Sequence, residues 1–145
     1  MKCSACGKNN VGDLHVVVSR AIALLETASR ESIEQAILLL QQYFNPKGTP
    51  IGVVWEECES GWARANSKRI VICDSARTPD FQYAASTEVP DYAADYGVKH
   101  LTVVVLHEMG HVLRRRKALP TSVESASDDE EEIANQFARY ILSQS

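Results

Sequence analysis

From about Val16 to Phe44 the apolar positions recur at helical spacing: Ile33, Ile37, Leu40 and Phe44 return every three or four residues. Asn45-Pro46-Lys47-Gly48 ends the run, and the pattern predicts two helices broken near Ser29. The period then changes. Ile51–Trp55, Trp62–Ala65 and Arg69–Cys73 are short and rich in β-formers, and Glu59-Ser60-Gly61 and Asn66-Ser67-Lys68 separate them. This predicts a small antiparallel meander. From Thr78 to Tyr96, with Pro79, Pro90, Tyr83 and Tyr92 in between, the chain reads as a long irregular loop. Val98 to about Arg114 is apolar on nearly every side, as in a helix buried inside a domain. Beyond Leu119-Pro120, Asp128 to Leu142 is amphipathic with an acidic first turn that suits the helix dipole. The order of N-terminal helices, meander, buried helix and final helix predicts an α+β domain over residues 15–145, after a polar lead-in over residues 1–14.

At 145 residues and 45% apolar content, the chain fits one domain that can bury a core without needing metals or disulfides to fold. A net charge of −4 gives no basic footprint, so direct nucleic-acid binding is not expected. The basic run Arg114-Arg115-Arg116-Lys117 reads as a solvated segment balanced by the acidic stretch from Glu124 to Glu132. The N-terminal residues lack the apolar stretch of a signal peptide, and Val16–Val18 and Leu101–Leu106 are too short to span a bilayer. The expectation is a cytoplasmic protein with no membrane partner, whose four cysteines stay reduced.

The chemistry concentrates in His107-Glu108-Met109-Gly110-His111. Residues four apart on a helix stand one above the other, about 6 Å along the axis and roughly 40° around it. Two imidazoles so placed can bind one zinc at about 2.0–2.1 Å each. Glu108, next to the first histidine, would then face the open position and take a proton from a water that the metal acidifies. The bland alternative is a pair of core histidines bonded to backbone carbonyls. Burying two histidines and a glutamate together is costly without a metal.

A catalytic zinc site takes three protein ligands. The last helix offers Glu130, Glu131 and Glu132. With Ile133 at 0° and about 100° per residue, the apolar stripe centres at roughly 50–60°. Glu132 falls at about 260°, on the solvated face, Glu130 at about 60° and Glu131 at about 160°. Periodicity alone leaves Glu130 and Glu131 open and leans towards Glu130. Ala134 and Ala138, however, would let the two helices approach closely on the Glu131 side, and Asn135 would stand beside the same site.

His107-Glu108-Met109-Gly110-His111 followed by Glu131-Glu132-Ile133-Ala134-Asn135-Gln136-Phe137-Ala138 resembles the gluzincin metallopeptidases, most closely the ImmA/IrrE family. The resemblance covers residues 98–142 and implies a minimal zincin-like fold and a zinc peptidase that cleaves a DNA-binding repressor. It makes His107, His111 and Glu131 zinc ligands, Glu108 the general base, and Asn135 a partner that orients a ligand histidine. No histidine follows Glu131, so an oxyanion-stabilising group has to come from upstream. Tyr83, Tyr92, Tyr96, His100 and Arg114 are the candidates, and His100 and Arg114 share the helix face of His107 and His111.

Cys3-Ser4-Ala5-Cys6-Gly7 has the spacing of half a zinc knuckle, and Cys58 and Cys73 could complete a second, structural metal site. Otherwise the first pair is a free thiol pair, and Cys58 and Cys73 are small core residues. The functional expectation is a zinc-dependent hydrolase of peptide bonds in a protein substrate, with an exposed meander strand holding an extended peptide. The rival is a zinc-binding regulatory or interaction module that keeps the site without turnover. Glu108 argues against it, since a structural zinc needs no general base.

Overall fold

The computed structural model describes residues 11–57, 63–77 and 92–144. Two N-terminal helices, α1 (Val11–Glu26) and α2 (Arg30–Phe44), pack side by side. The break falls where the sequence places it. Ala28 takes a left-handed φ of 62°, and the Ser29 hydroxyl caps α2 by accepting from the Ser32 N–H at 3.1 Å. Helix α1 begins at Val11, a turn before the hydrophobic pattern announces it. At the other end the Asn45 N–H bonds the Gln41 carbonyl at 2.7 Å, and Pro46 follows.

Strands β1 (Gly52–Glu56), β2 (Ala63–Ala65) and β3 (Arg69–Cys73) form one sheet, in the order β1-β3-β2. This corrects the expected antiparallel meander: β1 runs parallel to β3, with Gly52 opposite Arg69 and Glu56 opposite Cys73, and only β2 is antiparallel. A meander would put β2 in the middle. β2 is only three residues long, with Arg64 exposed at its centre, whereas Ile70, Val71, Ile72 and Cys73 are all buried. The continuous apolar run takes the central place, since both of its edges and faces are covered.

Helix α3 (His100–Arg115) is the hub, buried at every position from Leu101 to Leu113. It shares one hydrophobic core with Val18, Ala21 and Leu25 of α1, Ile33, Ile37 and Leu40 of α2, Ile70 and Ile72 of β3, and Ile133, Phe137 and Ile141 of α5 (Glu130–Ser143). Its first turn has no side-chain cap of its own. The Glu26 carboxylate at the end of α1 supplies one, accepting from the Lys99 N–H at 2.9 Å and from the Thr102 hydroxyl at 2.5 Å. At its far end Arg116 donates to the Ser67 and Thr49 carbonyls and to Asn45 Oδ1, at 2.7, 2.6 and 3.0 Å. A short helix, α4 (Thr121–Glu124), leads into α5, which Asp129 caps by accepting from the Glu131 N–H at 3.0 Å. Among the described residues no helix is long and apolar enough to cross a membrane.

The cysteines require a correction. Cys73, 3% exposed at the end of β3, is disulfide-bonded. Its sulfur is therefore not a reduced thiol, and it is withdrawn from the four-cysteine metal site. Cys3, Cys6 and Cys58 lie outside the described residues.

Candidate metal centre

The site forms where α3 and α5 touch most closely. The contact depends on Gly110: a Cβ there would lie 2.9 Å from Ala134 Cα and 3.1 Å from the Ala134 carbonyl oxygen. Real Cβ atoms do not approach backbone this closely, so only glycine lets α5 lie this near. Ala134 and Ala138 are buried on the opposing face. The alanine side of α5 is thus the contact side, and it carries Glu131 with it.

Across this seam His107 Nε2 lies 2.9 Å from Glu131 Oε2, and His111 Nε2 lies 3.2 Å from the same oxygen. The two Nε2 atoms are 3.1 Å apart, with the imidazole planes at 80° to one another. Ligands about 2.0–2.1 Å from a tetrahedral zinc stand about 3.3 Å from one another. The triangle is close to the face such an ion would present. Both imidazoles are buried, while the Glu131 side chain is 34% exposed and marks the open side.

The outer nitrogens decide what the inner ones offer. His107 Nδ1 lies 2.9 Å from Asn135 Oδ1, and the Tyr92 hydroxyl donates to the same oxygen at 3.2 Å. Asn135 Oδ1 can only accept, so His107 Nδ1 carries the hydrogen and Nε2 the lone pair. His111 Nδ1 lies 3.3 Å from Glu130 Oε1 and is set the same way. Two nitrogen lone pairs and a carboxylate oxygen therefore converge at contact distance. A proton can relieve one edge of that triangle. A metal ion satisfies all three, and the donor set fits one: His107, His111 and Glu131 can hold it. Burial, followed by the charge of His111, pushes the His107 pKa below its ordinary value, which keeps the imidazole in its ligand form.

The two candidate glutamates left open by periodicity have different partners. Glu131 meets both Nε2 atoms, whereas Glu130 meets His111 Nδ1 and Arg115 Nε, the latter at 3.4 Å. Burial alone would raise the Glu130 pKa, but the charges of His111 and Arg115 outweigh it and hold the carboxyl below its usual range. Glu108 is 6% exposed on α3 beside these residues. Of the oxyanion candidates, Tyr92 is buried with its hydroxyl on Asn135, and burial pushes its pKa upward. Tyr96 stacks edge-on against Tyr92 at 6.3 Å. His100 is half-buried at the start of α3, and Arg114 is half-buried one turn beyond His111, where Glu130 feels its charge. Tyr83 lies outside the described residues.

Three features escaped the sequence reading: the backing of His111 by Glu130, the Tyr92 bond to Asn135, and the need for Gly110. The first could have been found by noting that adjacent glutamates on a helix point about 100° apart and so can serve both sides of one ligand. The glycine was signalled by its place inside an otherwise apolar helix, where it is disfavoured unless packing demands it. No protein-family model, no curated protein and no solved structure matches this chain, so its own residues are the basis for reading the site.

Proposed function

We propose that the chain is a zinc-dependent peptidase, with His107, His111 and Glu131 holding the metal and Glu108 acting as general base. The observation that carries this reading is the convergence of three electron-pair donors on one point, beside a buried glutamate that holding the metal does not require. A zinc ion bound there would supply Lewis acidity to the scissile carbonyl and lower the pKa of a water to about 7. Asn135 and Glu130 fix the two imidazoles from behind, so the lone pairs point inward before any ligand arrives. Glu108 accepts the proton of the attacking water and passes it to the leaving amine. The open side at Glu131 admits a chain lying across the seam between α3 and α5.

The substrate class is protein. The resemblance to the ImmA/IrrE family favours a DNA-binding repressor, which the acidic chain would meet as a substrate and not through nucleic acid. The test is cleavage of candidate repressors by wild type and by Glu108→Gln, with zinc content measured on both. Full zinc in both proteins, with a rate about 10²- to 10⁴-fold lower in the variant, is the expected result. Equal rates would remove Glu108 from the chemistry. Zinc without cleavage in wild type would turn the reading towards a regulatory metal module.

A further inference from the structure

Helix α5 lines a groove beside the surface that holds Glu131 and Asn135. Arg139 lies one turn beyond Asn135, and its guanidinium carbon stands 4.3 Å from the centroid of the Tyr92 ring. Stacking uses the face of the planar cation and leaves its N–H edge free to donate. Among the described residues Arg139 makes no hydrogen bond or ion pair. The nearest acid along the helix, Glu132, instead accepts from Gln136 Nε2 at 2.9 Å. Arg139 lines a groove of about 300 Å³ between α4, α5 and the 3₁₀ turn Ala93–Tyr96, together with Tyr96, Ser122, Val123, Gln136 and Tyr140.

We propose that this groove binds a carboxylate group of a peptide, anchored by the Arg139 fork. A single guanidinium matches a single carboxylate, which it can bind through two parallel N–H···O bonds. A phosphate dianion suits the groove less well, because among the described residues no second cation lines it and the chain is acidic, at −4. The Tyr96 and Tyr140 side chains and Val123 give the walls an apolar surface for the body of one residue, and the Ser122 hydroxyl adds a donor. The volume is at the lower end of ligand sites, the size for one residue and not for a large cofactor. The carboxylate can come from a chain terminus or from an acidic side chain, and the groove chemistry is the same for both. Binding here needs neither metal nor turnover. It still lies close to the metal centre, since Tyr92 bears the guanidinium on its ring while its hydroxyl bonds the asparagine that orients His107.

The experiment is titration of the full chain with three dipeptides, followed by calorimetry and by backbone amide shifts. The peptides are acetyl-Ala-Phe with a free carboxylate, its C-terminal amide, and acetyl-Asp-Phe-amide. At least one carboxylate peptide is expected to bind with shifts at Ser122, Val123 and Gln136, and the neutral amide to bind at least about tenfold more weakly. Whether the first or the third peptide binds identifies the source of the carboxylate. Arg139→Gln is expected to weaken binding about ten- to hundredfold with zinc content unchanged, and Arg139→Lys to recover only part of it. If folding of the glutamine variant is impaired, Ser122→Glu, which places a carboxylate in the groove itself, is expected to block the peptide. No preference for either carboxylate over the neutral amide, or undiminished binding in Arg139→Gln or Ser122→Glu, would overturn the proposal.

Discussion

His107 Nδ1 sits 2.9 Å from Asn135 Oδ1, a contact between the middle of one buried helix and the second turn of another. Because the oxygen can only accept, this one bond selects the imidazole tautomer and aims Nε2 at His111 and Glu131. Asn135→Ala is therefore expected to lower zinc affinity about 10- to 100-fold, measured by chelator competition, while the far-ultraviolet circular dichroism stays unchanged. Unaltered affinity would show that packing alone orients the ring.

Gly110→Ala tests the seam itself. With the added carbon 2.9 Å from Ala134 Cα, α5 has to retreat. A loss of about 1–3 kcal/mol in urea unfolding is expected, together with weaker zinc binding, because the Glu131 carboxylate moves with the helix. Loss of stability without any change in zinc affinity would mean that the helices separate elsewhere.

The surface ion pairs give a pH test. Arg77 and Arg30 donate to Asp74 Oδ1 at 2.8 and 3.0 Å and hold its pKa at about 2, below its ordinary 3.8. A carboxyl depressed in the folded state contributes stability above its unfolded pKa and loses that contribution as pH falls towards the folded value. Melting temperatures of wild type and Asp74→Asn should therefore differ most at neutral pH and draw together between about pH 4 and pH 2. A gap that stays constant over that window would detach Asp74 from acid stability.

Much of this arrangement was legible in the residues, for identifiable reasons. The helix breaks at Ser29 and Asn45 carry their own caps, and the 3.6-residue period of α5 comes with Ala134 and Ala138, which admit a close neighbour. The pairing of strands was not legible. Short apolar runs carry no partner information, and the parallel alignment of β1 with β3 depends on non-local packing around Ile70 and Ile72. Gln41 shows the same limit. It is a polar side chain on α2, yet it is 4% exposed, donating to the Gly48 and Thr49 carbonyls at 3.2 and 2.8 Å while accepting from the Ile51 N–H at 2.8 Å. Its partners exist only once the following loop has folded back. The spacing of His107, Glu108 and His111 was readable because it is a property of one helix. Glu130 and Tyr92 were not, because their roles need a second helix and a loop to arrive.

The most direct measurement is zinc stoichiometry and affinity by equilibrium dialysis in wild type, Glu130→Gln and Glu131→Gln, all in a Cys3→Ser/Cys6→Ser background so that only this centre is counted. One zinc per chain is expected, with a large affinity loss in Glu131→Gln, whose carboxylate meets both Nε2 atoms, and a smaller one in Glu130→Gln, which only backs His111. No bound zinc in the parent protein, or a large loss confined to Glu130→Gln, would contradict it.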